Sequence, residues 1–201
     1  MAYLNENPKL IFDNIKELLI EGAKDRHCPF HTPVFTNTNI NNIGDSRIIV
    51  LRNFDSENLI LNFHTDFRSP KVANLLQNIN SLFVFYDFKL KIQLRIKVTS
   101  NVNNQNEVAR KMWDRTSLMS RKCYLTKKIP SSITGDPEDG IDLNLKGKEP
   151  TKSYSEKGYK NFAVVENKIV EIDWLYLEAN GHRRLNIKLN NKKPSFDWII
   201  P

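Results

Sequence analysis

The stretch that organises this chain, residues 47–71, reads RIIVLRNFDSENLILNFHTDFRSPK. It opens with four consecutive apolar residues between two arginines, a pattern typical of a strand buried on both faces. A polar turn at residues 53–57 follows, and residues 58–65 then alternate between apolar and polar side chains, as a second strand does. A serine and a proline next supply the N-cap and the first residue of a helix. The stretch therefore predicts two strands joined by a short turn and followed by a helix.

Hydroxyl and cationic side chains gather where the second strand ends and the helix begins. They are Thr65, Arg68, Ser69 and Lys71, and Arg47 can reach the same place from the first strand. Free backbone N–H groups at a helix N-terminus attract anions, and nearby cations strengthen that attraction. These residues therefore indicate a site for a phosphate-bearing ligand. An ordinary solvated helix start is the alternative that the residues leave open.

The composition favours one well-packed domain. The chain has 201 residues, of which 40% are hydrophobic and 26% are charged, which is enough for a sizeable buried core. We expect a single domain over residues 1–201, with a flexible insertion at residues 126–159, where glycine and proline are frequent and apolar residues are few. The residues leave open whether this insertion is a lid or a disordered segment.

Charge and cysteine usage narrow the expected partners. The formal net charge of +7 favours anionic ligands, but the basic residues are spread along the chain, so we do not expect nucleic acid as a partner. No apolar run approaches the roughly 20 residues of a membrane span, and the N-terminus has no signal pattern. Cys28 and Cys123 do not form a disulfide framework. We therefore expect a cytoplasmic protein with free thiols and no membrane partner.

A short segment, residues 27–31, holds two histidines and a cysteine, which are side chains that can ligate a metal. No second ligand pair with suitable spacing appears elsewhere in the chain, so we expect no metal site. A turn that leads into a first strand is the preferred interpretation of this segment.

The remaining elements follow from hydrophobic periodicity. Helices are predicted at residues 8–24, 70–78 and 104–119, and strands at residues 33–39, 81–88, 90–100, 162–166, 168–178, 182–188 and 196–201. The strands at 162–166 and 168–178 are expected to form a hairpin that turns at Asn167. Because strands predominate and several connections are short, we predict a mainly-β fold, an antiparallel β-barrel with peripheral α-helices.

These segments, in this order and spacing, resemble the pyridoxamine 5′-phosphate oxidase-like FMN-binding split-barrel family. The resemblance extends from about residue 10 to the C-terminus. It rests on Arg47-Ile48-Ile49-Val50-Leu51-Arg52, Phe63-His64-Thr65-Asp66, Ser69-Pro70-Lys71, Leu90-Lys91-Ile92-Gln93-Leu94-Arg95, Trp113-Asp114-Arg115, His182-Arg183-Arg184 and Trp198-Ile199-Ile200-Pro201. It implies an antiparallel Greek-key split barrel, FMN as the cofactor, and a homodimer with FMN at the subunit interface.

The resemblance also implies roles for individual residues. The FMN phosphate would be held by Arg47, Thr65, Ser69 and Lys71. The isoalloxazine ring would lie beside the backbone of Ile48, Val50, Leu51 and Arg52, with Gln93 on its other side and Arg183 or Arg184 at its edge. His64 would also belong to the cofactor-binding residues. Arg52 and Arg115 would bind the substrate.

The function implied is that of an FMN-dependent oxidoreductase acting on an unidentified small molecule. The oxidase itself has an Arg-x-His-x-Arg segment near its C-terminus, where this chain has His182-Arg183-Arg184-Leu185-Asn186, so we do not expect pyridoxamine 5′-phosphate as the substrate. No residue is assigned as catalytic; His64 and His182 are the candidates for an acid or base. A non-catalytic FMN-binding or redox-sensing protein, and a polyanion-binding barrel without flavin, are the alternatives.

Overall fold

The computed structural model describes residues 7–190 and 193–201, which form a nine-stranded antiparallel sheet with helices around it. The strands are β1 (Val34–Thr38), β2 (Gly44–Ile48), β3 (Asn53–Asp55), β4 (Ile60–Asp66), β5 (Asn80–Asp87), β6 (Ile92–Asn104), β7 (Phe162–Tyr176), β8 (Arg183–Asn190) and β9 (Lys193–Ile199). The helices are α1 (Pro8–Lys24), α2 (Pro70–Gln77), α3 (Glu107–Arg115), α4 (Leu118–Arg121) and α5 (Lys152–Ser155). Short 3-10 helices lie at Pro29–His31, Lys122–Tyr124, Leu143–Leu145 and Glu156–Asn161.

The sheet divides at β7, its longest strand. The strand order is β2-β1-β5-β6-β7-β4-β3, and β8 and β9 extend from β7 as a separate branch. Along one edge β7 pairs with β6; along the other its first half pairs with β4 and its second half with β8. The prediction of a mainly antiparallel β fold with a few helices is confirmed, and the divided sheet is the feature of a split barrel.

The core lies on one face of this sheet, which we call the inner face. Phe35, Phe63 and Phe83 meet there, with the Phe35 ring centroid 4.9 Å from that of Phe63 and 5.0 Å from that of Phe83. Helix α1 covers part of this core with Ile15 and Leu19, both fully buried. The opposite, outer face carries the side chains that alternate with these along each strand.

Helix α1 spans the range predicted from the sequence. The side chain of Asn7 caps it by accepting hydrogen bonds from the N–H groups of Lys9 and Leu10 at 3.1 and 3.2 Å. Gly22 does not end the helix. It allows the following 3-10 turn to pack closely, because a Cβ atom at this position would lie 2.8 Å from the Cβ of Phe30.

The apolar run at residues 47–52 is not one strand, as predicted, but the end of β2 and a connection to β3. The N–H groups of Ile49 and Leu51 donate to carbonyls before β1, and that of Arg52 donates to β4, so residues 49–52 cross between two parts of the sheet. Leu51 is buried as expected, whereas Ile48 is 69% exposed on the outer face. The prediction that the run is buried on both faces is therefore wrong for Ile48.

The predicted hairpin at residues 162–178 is also wrong, because β7 runs unbroken through Asn167. The Asn167 side chain is fully buried. Its amide donates to the carbonyls of Leu61 and Val165 at 2.9 and 3.0 Å and accepts from the Ser100 hydroxyl at 2.7 Å. Partners on both neighbouring strands thus satisfy an amide that favours turns in isolation.

The predicted helix at 104–119 is divided into α3 and α4, because the Ser117 hydroxyl caps a new helix by accepting from the N–H of Ser120 at 3.2 Å. Two apolar residues in the predicted helices, Met119 and Leu76, are exposed by 48% and 64%. The last part of the predicted insertion is helical, comprising α5 and the 3-10 helix that follows it. None of the helices in residues 7–190 and 193–201 has both the length and the apolar character of a transmembrane span.

Candidate functional site

A cationic and hydroxyl-rich cluster lies where β4 ends and α2 begins. The Lys71 Nζ atom donates to the hydroxyl of Thr65 at 3.0 Å and to that of Ser69 at 3.4 Å. Thr65 and Ser69 are both buried, and their hydroxyl oxygens lie 3.4 Å apart. Ser69 is the N-cap residue of α2, yet its hydroxyl makes no capping bond. It is therefore oriented into the cluster rather than towards the helix.

Arg47 reaches the same place from β2. Its guanidinium donates to the Oδ1 atom of Asn37, whose amide Nδ2 donates to the carbonyl of Lys71 at 3.3 Å. Burial, and then the nearby Arg47 cation, lower the pKa of Lys71, and burial lowers the pKa of Arg47. The structure thus brings together the four residues predicted for the phosphate, Arg47, Thr65, Ser69 and Lys71, which we call the anion cluster.

Arg68 does not join this cluster, although the sequence suggested that it could. Its Nε and Nη2 atoms donate to the two carboxylate oxygens of Asp66 at 2.9 and 2.6 Å, and the Asp66 carboxylate raises the pKa of Arg68. The same guanidinium donates to the carbonyl and the hydroxyl of Thr126 at 3.1 and 3.0 Å. Arg68 therefore attaches the beginning of the 126–159 segment to the end of β4.

A second candidate site is a pocket of about 440 Å³ between β4 and the α3–α4 region. Three residues predicted to contact cofactor or substrate line it, Arg52, His64 and Arg115. Sequence reasoning missed the other side chains in its wall, which include Met112, Thr116, Ser117, Ser120, Cys123 and Tyr124. The segment Trp113-Asp114-Arg115 is the part of this wall that the sequence analysis had singled out.

The uncharged groups of the pocket are held neutral by their surroundings. Burial, assisted by the Arg52 cation, lowers the pKa of His64 to about 4, and burial raises the pKa of Tyr124. The Nε2 atom of His64 is buried and has no hydrogen-bond partner within the described chain. At neutral pH the charges in this wall are therefore those of Arg52 and Arg115, which favours an anionic ligand.

A buried network behind the pocket holds its α3–α4 wall in place. Arg121 is 3% exposed, and it donates to the carbonyls of Thr116 and Trp113 at 3.1 and 2.8 Å. Glu156 accepts from Arg121 at 3.0 Å and from the Trp113 indole at 2.9 Å. A hydrogen bond from Arg110 is the largest cause of the lowered pKa of Glu156. No motif in the sequence indicated this network.

Gln93 and Arg184 lie on the outer face on either side of Leu175 of β7, with which both pair. Arg184 forms an ion pair with the Asp173 carboxylate, to which it donates two hydrogen bonds at 3.0 and 2.7 Å. Arg183 donates instead to the backbone carbonyls of Gly181 and His182, both at 3.2 Å. The two candidate arginines thus differ in how much of the guanidinium is free.

Within one chain, the anion cluster and Gln93 lie on opposite faces of the sheet. Arg47 pairs with Phe35 and belongs to the inner face, whereas Gln93 pairs with Tyr86 on the outer face. In the connection between β2 and β3, the N–H groups of Leu51 and Arg52 already donate hydrogen bonds to carbonyl groups of the same chain. Contacts of these two residues with a cofactor would therefore use their carbonyls or side chains. Val50 is half-buried beside them.

The remaining candidates have ordinary local roles. The Nδ1 atom of His182 accepts from the N–H of Glu178 at 3.2 Å in an exposed turn. His31 bonds to the carbonyl of Gly22 at 2.7 Å, and Cys28 packs against the core. Within residues 7–190 and 193–201, no group of three or more His, Cys, Asp and Glu side chains is arranged to hold a metal.

Comparison with known proteins relates part of the chain to a known family. Residues 15–104 match the model of the family described as pyridoxamine 5′-phosphate oxidase, FMN-binding domain. No curated protein matches the chain.

Solved structures agree with this family in fold. A pyridoxamine 5′-phosphate oxidase-related, FMN-binding protein from Nostoc punctiforme matches with a TM-score of 0.70 at 19% identity, over 94% of this chain and 96% of that chain. PhzG from Burkholderia lata matches with a TM-score of 0.68 at 14% identity, over 98% and 96%. A protein related to general stress protein 26 from Clostridium acetobutylicum gives a TM-score of 0.55 at 10% identity, over 93% and 99%.

The family model covers the segment that contains β1 to β6 and the anion cluster, and the structural matches extend the same fold over almost the whole chain. Residues 15–104 therefore match the pyridoxamine 5′-phosphate oxidase FMN-binding domain family, and almost the whole chain has the split-barrel fold of the similar solved structures.

Proposed function

We propose that this protein binds FMN and is an FMN-dependent oxidoreductase that acts on a small anionic molecule. The observation that carries the proposal is the anion cluster, in which two cations and two hydroxyls converge at one end of the inner face. Ion pairs and charge-assisted hydrogen bonds to a phosphate are among the strongest that a protein forms. The family match supports FMN as the phosphate-bearing ligand.

The residues of the cluster fit a phosphate group. Lys71 and Arg47 supply the positive charge that a dianion needs, and their lowered pKa values reflect partly buried cations that an anion would stabilise. The Ser69 hydroxyl, which is free of a capping bond, can donate to the same anion together with Thr65. When bound, FMN supplies the redox chemistry, and the chain's own residues position it and exclude water.

A homodimer is part of the proposal. Because Gln93 and Arg184 lie on the face opposite to Arg47, a second copy of the chain would be needed to bring this pair of residues to the same flavin. The outer face also exposes apolar side chains, with Ile48 69% and Tyr86 48% accessible. An exposed apolar surface of this kind is typical of a protein interface.

The pocket beside β4 is the proposed substrate site. Arg52 and Arg115 would bind a negatively charged group of the substrate, and the neutral His64 would form part of the pocket wall beside them. PhzG was solved in complex with tetrahydrophenazine-1-carboxylic acid. Organic acids therefore belong in the first substrate panel.

We also propose that residues 1–201 act as one domain. The 126–159 segment, which Arg68 attaches at its beginning, would be an insertion beside the pocket and remains the candidate lid. The cytoplasmic location remains a prediction from the sequence.

The first test is the absorbance spectrum of the freshly purified protein, with the released cofactor identified by mass. We expect a yellow protein with one FMN per subunit that elutes as a dimer. A colourless protein that does not bind added FMN would refute the proposal. If FMN binds, turnover across a panel of carboxylates and phosphate esters would distinguish an enzyme from a protein that only stores or senses flavin.

A further inference from the structure

Asp45 forms the one ion pair that Arg47 makes within the part of the chain that the structure describes. The two residues are two positions apart on β2, so both side chains project from the inner face. The Asp45 carboxylate thus contacts the guanidinium that belongs to the anion cluster, and it occupies donors that would otherwise be available to an anion.

A different residue fixes the position of Arg47. The Asn37 side chain, which is 1% exposed, accepts from the guanidinium and donates to the carbonyl of Lys71 at 3.3 Å. This buried amide therefore directs Arg47 towards the start of α2 whether or not Asp45 is in contact with it. Arg47 does not depend on Asp45 for its orientation.

The Asp45 side chain can move away from Arg47 without disturbing the core. Its side chain is 49% exposed, compared with 20% for that of Arg47. It lies on β2, which pairs only with β1 among the described strands and is an edge of the sheet. Rotation of one exposed carboxylate into solvent is thus sufficient to free the guanidinium.

The negative charge of Asp45 has opposite effects on the ligand-free cluster and on phosphate binding. Arg47 and Lys71 are partly buried cations, and the Arg47 charge lowers the pKa of Lys71 while the Asp45 charge raises it, so this nearby negative charge stabilises the cluster when no ligand is bound. The same carboxylate repels an incoming phosphate and competes with it for Arg47.

We propose that Asp45 is an internal competitor for the anion cluster, which stabilises the ligand-free protein and weakens its affinity for phosphate-bearing ligands. This inference rests on the proposed function only in naming FMN as the natural ligand. As a consequence, bound FMN would dissociate more readily than expected from contacts with the four residues of the anion cluster alone.

The test compares the wild type with Asp45→Asn in titrations with FMN and with riboflavin, which lacks the phosphate. Because an exposed ion pair is weak in water, we expect FMN to bind roughly threefold to tenfold more tightly to the variant. Riboflavin affinity should not change. The matched control is Asp13→Asn, which removes an exposed carboxylate paired with Lys16 on α1 and should leave both affinities unchanged. Should Asp45→Asn not fold, Asp45→Ser provides the same comparison.

Equal or weaker FMN binding by the variant would overturn the proposal, as would an equal gain for riboflavin. Inorganic phosphate distinguishes this result from a failure of the proposed function. If the wild type binds no FMN but Asp45→Asn binds phosphate more tightly than the wild type does, the competitor role stands and the flavin assignment fails. If the wild type binds no FMN and neither form binds phosphate, both fail.

Discussion

Asp173 of β7 and Arg184 of β8 form a bidentate ion pair. The Nε and Nη2 atoms of Arg184 donate to the two carboxylate oxygens of Asp173 at 3.0 and 2.7 Å, and Arg95 of β6 donates to the same carboxylate. Burial alone would raise the pKa of Asp173, but hydrogen bonds from Arg184 and Arg95 keep it below its usual value. One negative charge is therefore shared by two arginines beside Gln93.

The Asp173→Asn variant keeps an oxygen acceptor for the arginines and removes this negative charge. If Arg184 lies at the edge of a bound flavin, the unbalanced cation stabilises the anionic reduced flavin. We therefore expect the two-electron midpoint potential to become more positive, as measured by spectroscopic redox titration. Glu171→Gln is the control, because Glu171 lies on the same strand and face but binds Lys97 and Asn186. A potential that does not change in Asp173→Asn, with FMN bound normally, would contradict the placement of Arg184.

The Lys71→Met variant removes the central cation of the anion cluster. We expect FMN affinity to fall roughly tenfold to hundredfold, the effect of losing a hydrogen bond to a charged group, with little change for riboflavin. Because burial lowers the pKa of Lys71, its ammonium contributes little to the stability of the ligand-free protein. The free energy of unfolding should therefore change little. Calorimetric titration and urea unfolding measure the two effects.

Lys168→Met is the control for this variant, since Lys168 is an exposed lysine on β7. An equal loss of FMN affinity in both variants would indicate a general effect of net charge and would exclude a specific role for Lys71.

His64 predicts a dependence of stability on pH. Its pKa falls from 6.5 to about 4 on folding, so the unfolded chain binds more protons between these values and stability rises with pH across this window. The full effect is about 3 kcal/mol, present above pH 6.5 and lost as the pH falls towards 4. The His64→Phe variant keeps an aromatic ring, which in the wild type lies 4.8 Å from that of Phe162.

We therefore expect His64→Phe to flatten the increase in unfolding free energy between pH 4 and 6.5, as measured by urea unfolding at several pH values. His27→Phe, at an exposed histidine, should leave the slope unchanged. A slope that persists in His64→Phe would mean that other groups determine it.

Local patterns predicted much of the fold and part of the site. Helix α1 and strand β6 follow directly from hydrophobic periods, because one face of each packs on the same core. Thr65, Ser69 and Lys71 lie within seven residues, so a strand end and a helix start are sufficient to bring them together. Arg47 joins them because strand pairing leaves it on the inner face.

Long-range contacts account for what could not be predicted. Arg68 turns away from the anion cluster because Thr126, 58 residues further along the chain, offers its guanidinium two acceptors. The network of Arg121 and Glu156 likewise joins residues 35 positions apart. Neither pairing has a local signature, and each decides where a charged side chain points.

Asn167 offers a direct test of whether long-range hydrogen bonds outweigh a local preference for a turn. Its buried amide bonds to the carbonyls of Leu61 and Val165 and to the hydroxyl of Ser100, so Asn167→Ala would leave buried polar groups without partners. We expect a loss of about 2–3 kcal/mol in the free energy of unfolding, measured by urea denaturation. Asn101→Ala, at an exposed position of β6, should cost much less. If the two variants lost the same stability, the continuous β7 strand would not depend on this amide, and the turn expected from the sequence would again be a realistic alternative.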